Sequence, residues 1–178
     1  MKRMSWIAFA MAAAALASGG SPEEFTATAE MTTSQGTRSM PVAFVVSRPL
    51  TEAEARPLRE VLERGGQLAL KEAIRGADRG RERIGAFEYP IDLVIKEPVS
   101  DGFRYLLVTT RRLKYEEVRE SRDSLDYPFA VAVFDMPEFG SGEGQLYTQA
   151  SLAIDSEGGV RVSQYGSAPG RIKDIRRR

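Results

Sequence analysis

Carboxylates are the side chains of this sequence best able to do chemistry, and they gather beside glycines. Asp135-Met136-Pro137-Glu138-Phe139-Gly140-Ser141-Gly142-Glu143-Gly144 sets three of them on a Gly-rich stretch, an oxygen-rich, flexible setting of the kind Ca²⁺ uses. The spacing matches no EF-hand loop and lacks its terminal bidentate Glu. A polar hairpin connection is therefore expected over 135–144, with Ca²⁺ binding as the competing reading. Asp155-Ser156-Glu157-Gly158-Gly159 invites the same thought, but its glycines are what a tight turn needs. Arg111-Arg112 has the donors to grip a carboxylate or phosphate, yet directly follows a strand pattern and reads as a solvated strand end. Asp126-Tyr127-Pro128-Phe129 offers a carboxylate and a phenol at a strand entrance, where Pro128 favours a structural corner. The acid pairs Glu88/Asp92 and Glu116/Glu117 have the residue type of a glycosidase, which needs two carboxyls about 5–10 Å apart; sequence spacing does not specify that distance.

The missing residue types say more. There is no cysteine and no histidine. Thiolate catalysis, Fe–S clusters and Cys-ligated zinc drop out, as do the Ser-His-Asp triad and the commonest transition-metal ligand. Asparagine is absent, so there is no N-glycosylation site, and the only tryptophan is Trp6. No Walker A, Ser-x-x-Lys, Gly-x-Ser-x-Gly or dinucleotide-binding fingerprint occurs. Accordingly no catalytic, cofactor-binding or metal-binding residue is assigned, and no cofactor is expected.

The elements that must carry these residues follow from periodicity. Phe25 to Met31 alternates apolar and polar side chains, the period of a strand, and Met40 to Val46 is a second. Thr51 with Glu54 fits a capping box, followed by Ala55, Leu58, Val61 and Leu62 on one helical face. Pro57 predicts a kink or a later start. Gly65-Gly66 is expected to end this helix, and Gln67–Arg75 to form a second, with Leu70, Ala73 and Ile74 inward; together they make a helical hairpin. Strands then dominate: a short edge strand over Ile84–Phe87, a strand with Tyr89, Ile91, Leu93 and Ile95 on one face ended by Pro98, and its return from Phe103 after the hairpin signal Asp101-Gly102. Leu113–Val118 fits either a strand or a helical turn, before a charged loop over 119–126. Strands at 129–136, 145–154, 160–165 and 171–175 complete the pattern. The predicted fold class is α+β: a mostly antiparallel β-meander with a helical hairpin packed on one face.

Both termini bear on location. Met1-Lys2-Arg3-Met4 is a basic head, Ser5 to Leu16 carries no charge, and Ala15-Leu16-Ala17-Ser18-Gly19-Gly20-Ser21 places small residues before a break. These are the three parts of a secretory signal. The apolar run falls short of the roughly 20 residues that span a membrane. Cleavage is expected at Ala17–Ser18, with Gly19 as the next site and an uncleaved anchor as the competing reading. The signal is thus 1–17 and the single domain 18–178, with an ordered core at about 24–175, exported to the periplasm or beyond. Lys2 and Arg3 leave with the signal, so 23 of the 25 basic side chains remain against 25 acidic ones. The run Arg171–Arg178 is basic enough to touch anionic lipids or polyanions, but a last strand with a solvated end accounts for it. Nucleic acid would want a larger basic field.

In their order along the chain, Gly65-Gly66-Gln67 with Ala69-Leu70, Tyr89 with Asp92-Leu93, Val108-Thr109, Asp126-Tyr127-Pro128-Phe129, Gly142-Glu143-Gly144 and Gln164-Tyr165-Gly166 resemble an uncharacterised family of small exported proteins of Gram-negative bacteria. The resemblance implies export and a similar layout; it brings no activity, cofactor or site residue. Pro57 departs from the uninterrupted helix it implies.

The expectation from sequence is a non-catalytic exported domain that binds a ligand or partner of the cell envelope through its sheet or sheet–helix cleft. Its rivals are a carboxylate-dependent hydrolase, requiring two facing acids with one pKa raised, and an envelope-assembly protein, requiring an exposed apolar patch or an unpaired sheet edge. A carrier of apolar ligands requires a cavity lined by Leu, Ile or Phe. Intact-mass measurement on protein from its native host is expected to find a chain beginning at Ser18; recovery of the unprocessed chain from the cytosol would refute export.

Overall fold

The computed structural model describes residues 21–33, 36–111, 125–156, 158–166 and 168–178. The signal segment, Leu113–Val118 and the charged stretch up to residue 124 lie outside these. The strands are β1 (Glu23–Thr33), β2 (Gly36–Val46), β3 (Gly80–Ile84), β4 (Phe87–Ile91), β5 (Leu93–Val99), β6 (Gly102–Thr109), β7 (Phe129–Pro137), β8 (Gly142–Ile154), β9 (Val160–Gln164) and β10 (Gly170–Arg177), with the helix α1 (Glu52–Ile74) between β2 and β3. Every pairing is antiparallel.

The mostly antiparallel sheet expected from the sequence is present, but it is not a flat meander. Its ten strands run β4-β3-β2-β1-β10-β8-β7-β6-β5, with β9 paired to β8. Two meanders, β1–β4 and β5–β8, are joined by β10, which enters between β1 and β8. Because β4 runs into β5 through a single residue, the two ends of this order are one piece of chain, and the sheet curls until it is nearly barrel-shaped. Strand twist supplies the curvature.

Period-2 alternation sorts the apolar side chains into two cores. Tyr105 and Leu107 of β6 and Ala132 and Phe134 of β7 join Phe25 and Phe44 inside the curled sheet. Leu106, Val108, Val131 and Val133 point outward and pack with Leu62, Leu70 and Ile74 of α1. Strands β6 and β7 are thus buried on both faces, which explains their continuous apolar runs. Inside, the Phe134 ring centroid lies 5.3 Å from those of Phe25 and Phe44 and 5.0 Å from that of Tyr105, so rings fill this part of the lumen.

The helical hairpin is not formed: among the described residues there is one helix, from Glu52 to Ile74. The capping box at Thr51 and Glu54 is present and starts it six residues before Pro57, which the helix then passes through. Only Gly66 leaves helical geometry (φ 70°, ψ −164°), and one residue interrupts a helix without reversing it. The chain beyond stays on the sheet because the Gln67 side-chain amide pairs with the Leu152 backbone, its Nε2 donating to the carbonyl (2.6 Å) and its Oε1 accepting from the N–H (2.9 Å). Ala73, expected inward, is exposed.

A second correction concerns residues 80–99. The short edge strand is in fact a tight hairpin, β3 turning at Gly85-Ala86 into β4. Tyr89, Ile91, Leu93 and Ile95 do not share one face: Tyr89 and Ile91 lie in the inner core with Val94, whereas Leu93 and Ile95 lie in the outer one. Asp92 shifts the phase. It is 2% exposed, its N–H donates to the Val108 carbonyl (2.8 Å), and its carboxylate accepts from the Gly76 N–H (2.9 Å), the Thr110 N–H (2.9 Å) and the Thr110 hydroxyl (2.7 Å). The strand also continues through Pro98 to Val99, where the hairpin read at Asp101-Gly102 turns it into β6. Gly102 is needed for close approach, since a Cβ there would collide with the Met136 carbonyl.

Replacing Asp92 by Ala strips the buried Thr110 groups of their acceptor. A loss of about 2–4 kcal/mol in unfolding free energy is expected in urea titrations followed by circular dichroism; a loss below about 1 kcal/mol would show that the junction is held by packing alone.

Candidate functional site

Between α1 and the outer sheet face lies an apolar cleft. The phase set at Asp92 turns Leu93 and Ile95 toward the helix, where Leu58 and Leu62 meet them, and Leu152 of β8 and Val160 of β9 complete the wall. The cleft is shallow and opens to solvent. Gly66 breaks the helix between Leu62 and Leu70, both of which line it, while Gln67 fastens the second half to β8. Arg59 contributes the polar part of the lining, its guanidinium Nη2 donating to both Glu52 oxygens at 3.1 Å.

Glu97 continues the row Leu93-Ile95 one step further along β5. It is 6% exposed, and its Oε1 accepts no hydrogen bond among the described residues. Burial pushes its carboxyl up to about 7, against the opposing pull of Arg104 and Arg59. Arg104, its register partner on β6, is held by Asp135 of β7 through Nε (2.5 Å) and Nη2 (2.7 Å). A second buried acid, Glu82 of β3, faces the inner core between Phe44 and Tyr89 in register. Burial raises it to about 8, and its Oε1 has no hydrogen-bond donor among the described residues. Glu54 is the opposite case: the hydrogen bond from buried Arg79, then that from the Thr51 backbone, hold it at about 2.

The residues singled out from the sequence are elsewhere. The stretch 135–144 is the end of β7, a short loop and the start of β8, with Asp135 engaged by Arg104 and Glu138 donating its N–H to the Asp101 carbonyl. Among the described residues no group of three or more metal-ligating side chains converges. Asp155 closes the β8–β9 turn by accepting the Gly158 and Gly159 N–H groups. Arg111 is exposed after β6, and Arg112, Glu116 and Glu117 lie outside the described residues. Asp126 is exposed, and the Tyr127 ring stacks at a tilt on Tyr165, 5.3 Å away. Glu88 faces Arg81 on the surface at 3.9 Å, so it and the buried Asp92 do not make a catalytic pair. The basic end forms β10, where Lys173 and Arg177 meet Glu30 (2.6 Å) and Glu23 (3.6 Å) of β1; Glu23 also binds Lys96 (2.8 Å) and the Tyr105 hydroxyl (3.1 Å).

Glu97, Glu82 and Arg59 were not singled out. A signal existed for Glu97, which takes the next buried-phase position after Leu93 and Ile95. None existed for Glu82, whose strand was not anticipated. No protein-family model, curated protein or solved structure matches this chain.

Both acids make stability depend on pH. A carboxyl raised by folding holds more protons folded than unfolded between its two pKa values, so stability falls as pH rises from about 4.5 through about 8, then levels off. Glu82→Gln is expected to match the wild type at pH 4 and to exceed it by roughly 2–4 kcal/mol at pH 8, leaving the smaller slope due to Glu97. Identical pH profiles in chemical denaturation would show that Glu82 is not protonated in the folded state.

Proposed function

We propose that this chain is an exported, non-catalytic binding protein that holds a small apolar ligand in the cleft between α1 and the outer face of β5, β8 and β9. The observation that carries the reading is the lining itself: aliphatic side chains from one helix and three strands border an apolar recess open to solvent, the kind of lining that takes small apolar groups. Sequence composition supports it, since a chain without imidazole or thiol is poorly equipped for the commonest hydrolytic mechanisms but loses nothing as an apolar binder. Export rests on the tripartite pattern of residues 1–21.

The carboxylate hydrolase finds less support. The two acids with raised pKa stand on opposite faces of the sheet, Glu82 toward the inner core and Glu97 toward the helix, so they cannot flank one substrate bond. As for an assembly surface, the exposed large apolar side chains Leu68, Phe87, Phe103, Leu125, Phe139 and Tyr165 each come from a different element or loop.

The neutral probe N-phenyl-1-naphthylamine, which brightens in apolar surroundings, is expected to bind saturably. Leu58→Trp, which fills the cleft from its half-buried rim, is expected to weaken that binding at least tenfold while leaving the circular dichroism spectrum unchanged. No saturable signal, or equal affinity in the variant, would remove the cleft from consideration.

A further inference from the structure

One strand of the sheet is paired on one side only. Past Ala150, β8 leaves β7 and β10 and runs with β9 alone, as a two-stranded ribbon. The β8 edge of this ribbon is capped at Leu152, whose N–H and carbonyl are taken up by the Gln67 side chain. The β9 edge has no such cap. Two bonds fix its alternation: the Asp155 N–H donates to the Gly159 carbonyl (2.9 Å) and the Tyr165 N–H to the Gln149 carbonyl (3.0 Å). Residues 161 and 163, in phase with these, address β8, so the backbone groups of Val160, Val162 and Gln164 point away from it. No backbone group among the described residues meets them there. The edge is also held in place, since Val160 and Val162 are buried in the outer core, and a partner would have little left to order.

We propose that this edge pairs with the same edge of a second copy of the chain, antiparallel about a two-fold axis at Val162, so that one ribbon continues through both. An open edge is a template for strand addition, and the side chains of β9 select the register. Pairing the whole strand with itself sets Val162 against Val162 and Val160 against Gln164, with about six backbone hydrogen bonds between the copies. It also sets Arg161 against Ser163 of the second copy. A two-residue slip toward the Gly158-Gly159 turn would instead oppose Arg161 to Arg161, like charges face to face. The opposite slip leaves only Val162 to Gln164 overlapped. The arginine on this edge thus excludes a wrong register and is compatible with the full one, where a β-branched pair lies at the centre. Five residues of edge make a small interface, so the dimer is a weak one that forms in concentrated solution. The inference is independent of the apolar cleft.

Sedimentation velocity of the purified protein between about 1 µM and about 500 µM, where a small interface becomes populated, is expected to show a mass rising from that of one chain toward that of two. Val162→Pro removes the N–H at the two-fold axis, which makes no bond to β8, and an edge strand tolerates proline. It is expected to weaken association at least tenfold with an unchanged circular dichroism spectrum. Position 163 tests the register. Ser163→Arg, set against Arg161 of the second copy, is expected to weaken the dimer at least threefold in low salt, and Ser163→Glu to tighten it by a similar factor, both differences shrinking in about 1 M salt. A single-chain mass at every concentration, a dimer indifferent to a folded Val162→Pro, or Ser163 variants that shift the association in the same direction or not at all would overturn the proposal. If Val162→Pro does not fold, the two Ser163 variants decide alone.

Discussion

One buried carboxylate at a bend in a strand decides which side chains face which core. Asp92 gathers the end of β6, the segment after α1 and the β4–β5 junction onto its two oxygens. Its backbone N–H keeps the ladder to β6 while the alternation slips by one. On its N-terminal side Tyr89 and Ile91 look into the curled sheet; on its C-terminal side Leu93 and Ile95 look out at the helix. Without that slip, residues 93–97 would turn their aliphatic row and Glu97 inward, and α1 would face Val94 and Lys96 instead. The apolar cleft is a consequence of the junction.

The inner core is filled by aromatic rings. A curled sheet of this kind can enclose a ligand only if its lumen is left open, and here the Phe134 ring lies 5.0–5.3 Å by centroid from those of Phe25, Phe44 and Tyr105, with Phe25 a further 5.1 Å from Tyr105. At one end the lumen meets the ionic group of Glu23, Lys96 and Arg177, with Lys96 also 4.3 Å from the Phe103 ring centroid. The helix covers the other side of the sheet. Gly66 divides α1, Gln67 ties its second half to β8, and the Thr51–Glu54–Arg79 network fixes its start beside β3. Held at both ends and interrupted between, the helix lies across the sheet beside the shallow apolar cleft.

Much of the fold was legible in local chemistry. The capping box of Thr51 and Glu54, the hairpin at Asp101-Gly102 and the turn at Asp155–Gly159 are all where their residue types placed them, because each depends on hydrogen bonds made within a few residues. The helical hairpin failed because a Gly-Gly pair marks a break without saying whether the chain reverses, and here a contact with Leu152, far along the sequence, answered that. The edge strand at 84–87 failed for a related reason: Arg81 and Glu82 look like loop residues until β2 and β4 flank them.

The amino-acid sequence by itself determined the reactions closed to this protein and most of its strands. Absent imidazole and thiol need no fold to be absent, and alternation is a local period. Only the tertiary structure decided the phase of that alternation across Asp92, the insertion of β10 between β1 and β8, and the meeting of Glu97 with Arg59 and Arg104. A period carries no phase through an interruption, and a strand order depends on contacts between residues that have no signature of one another.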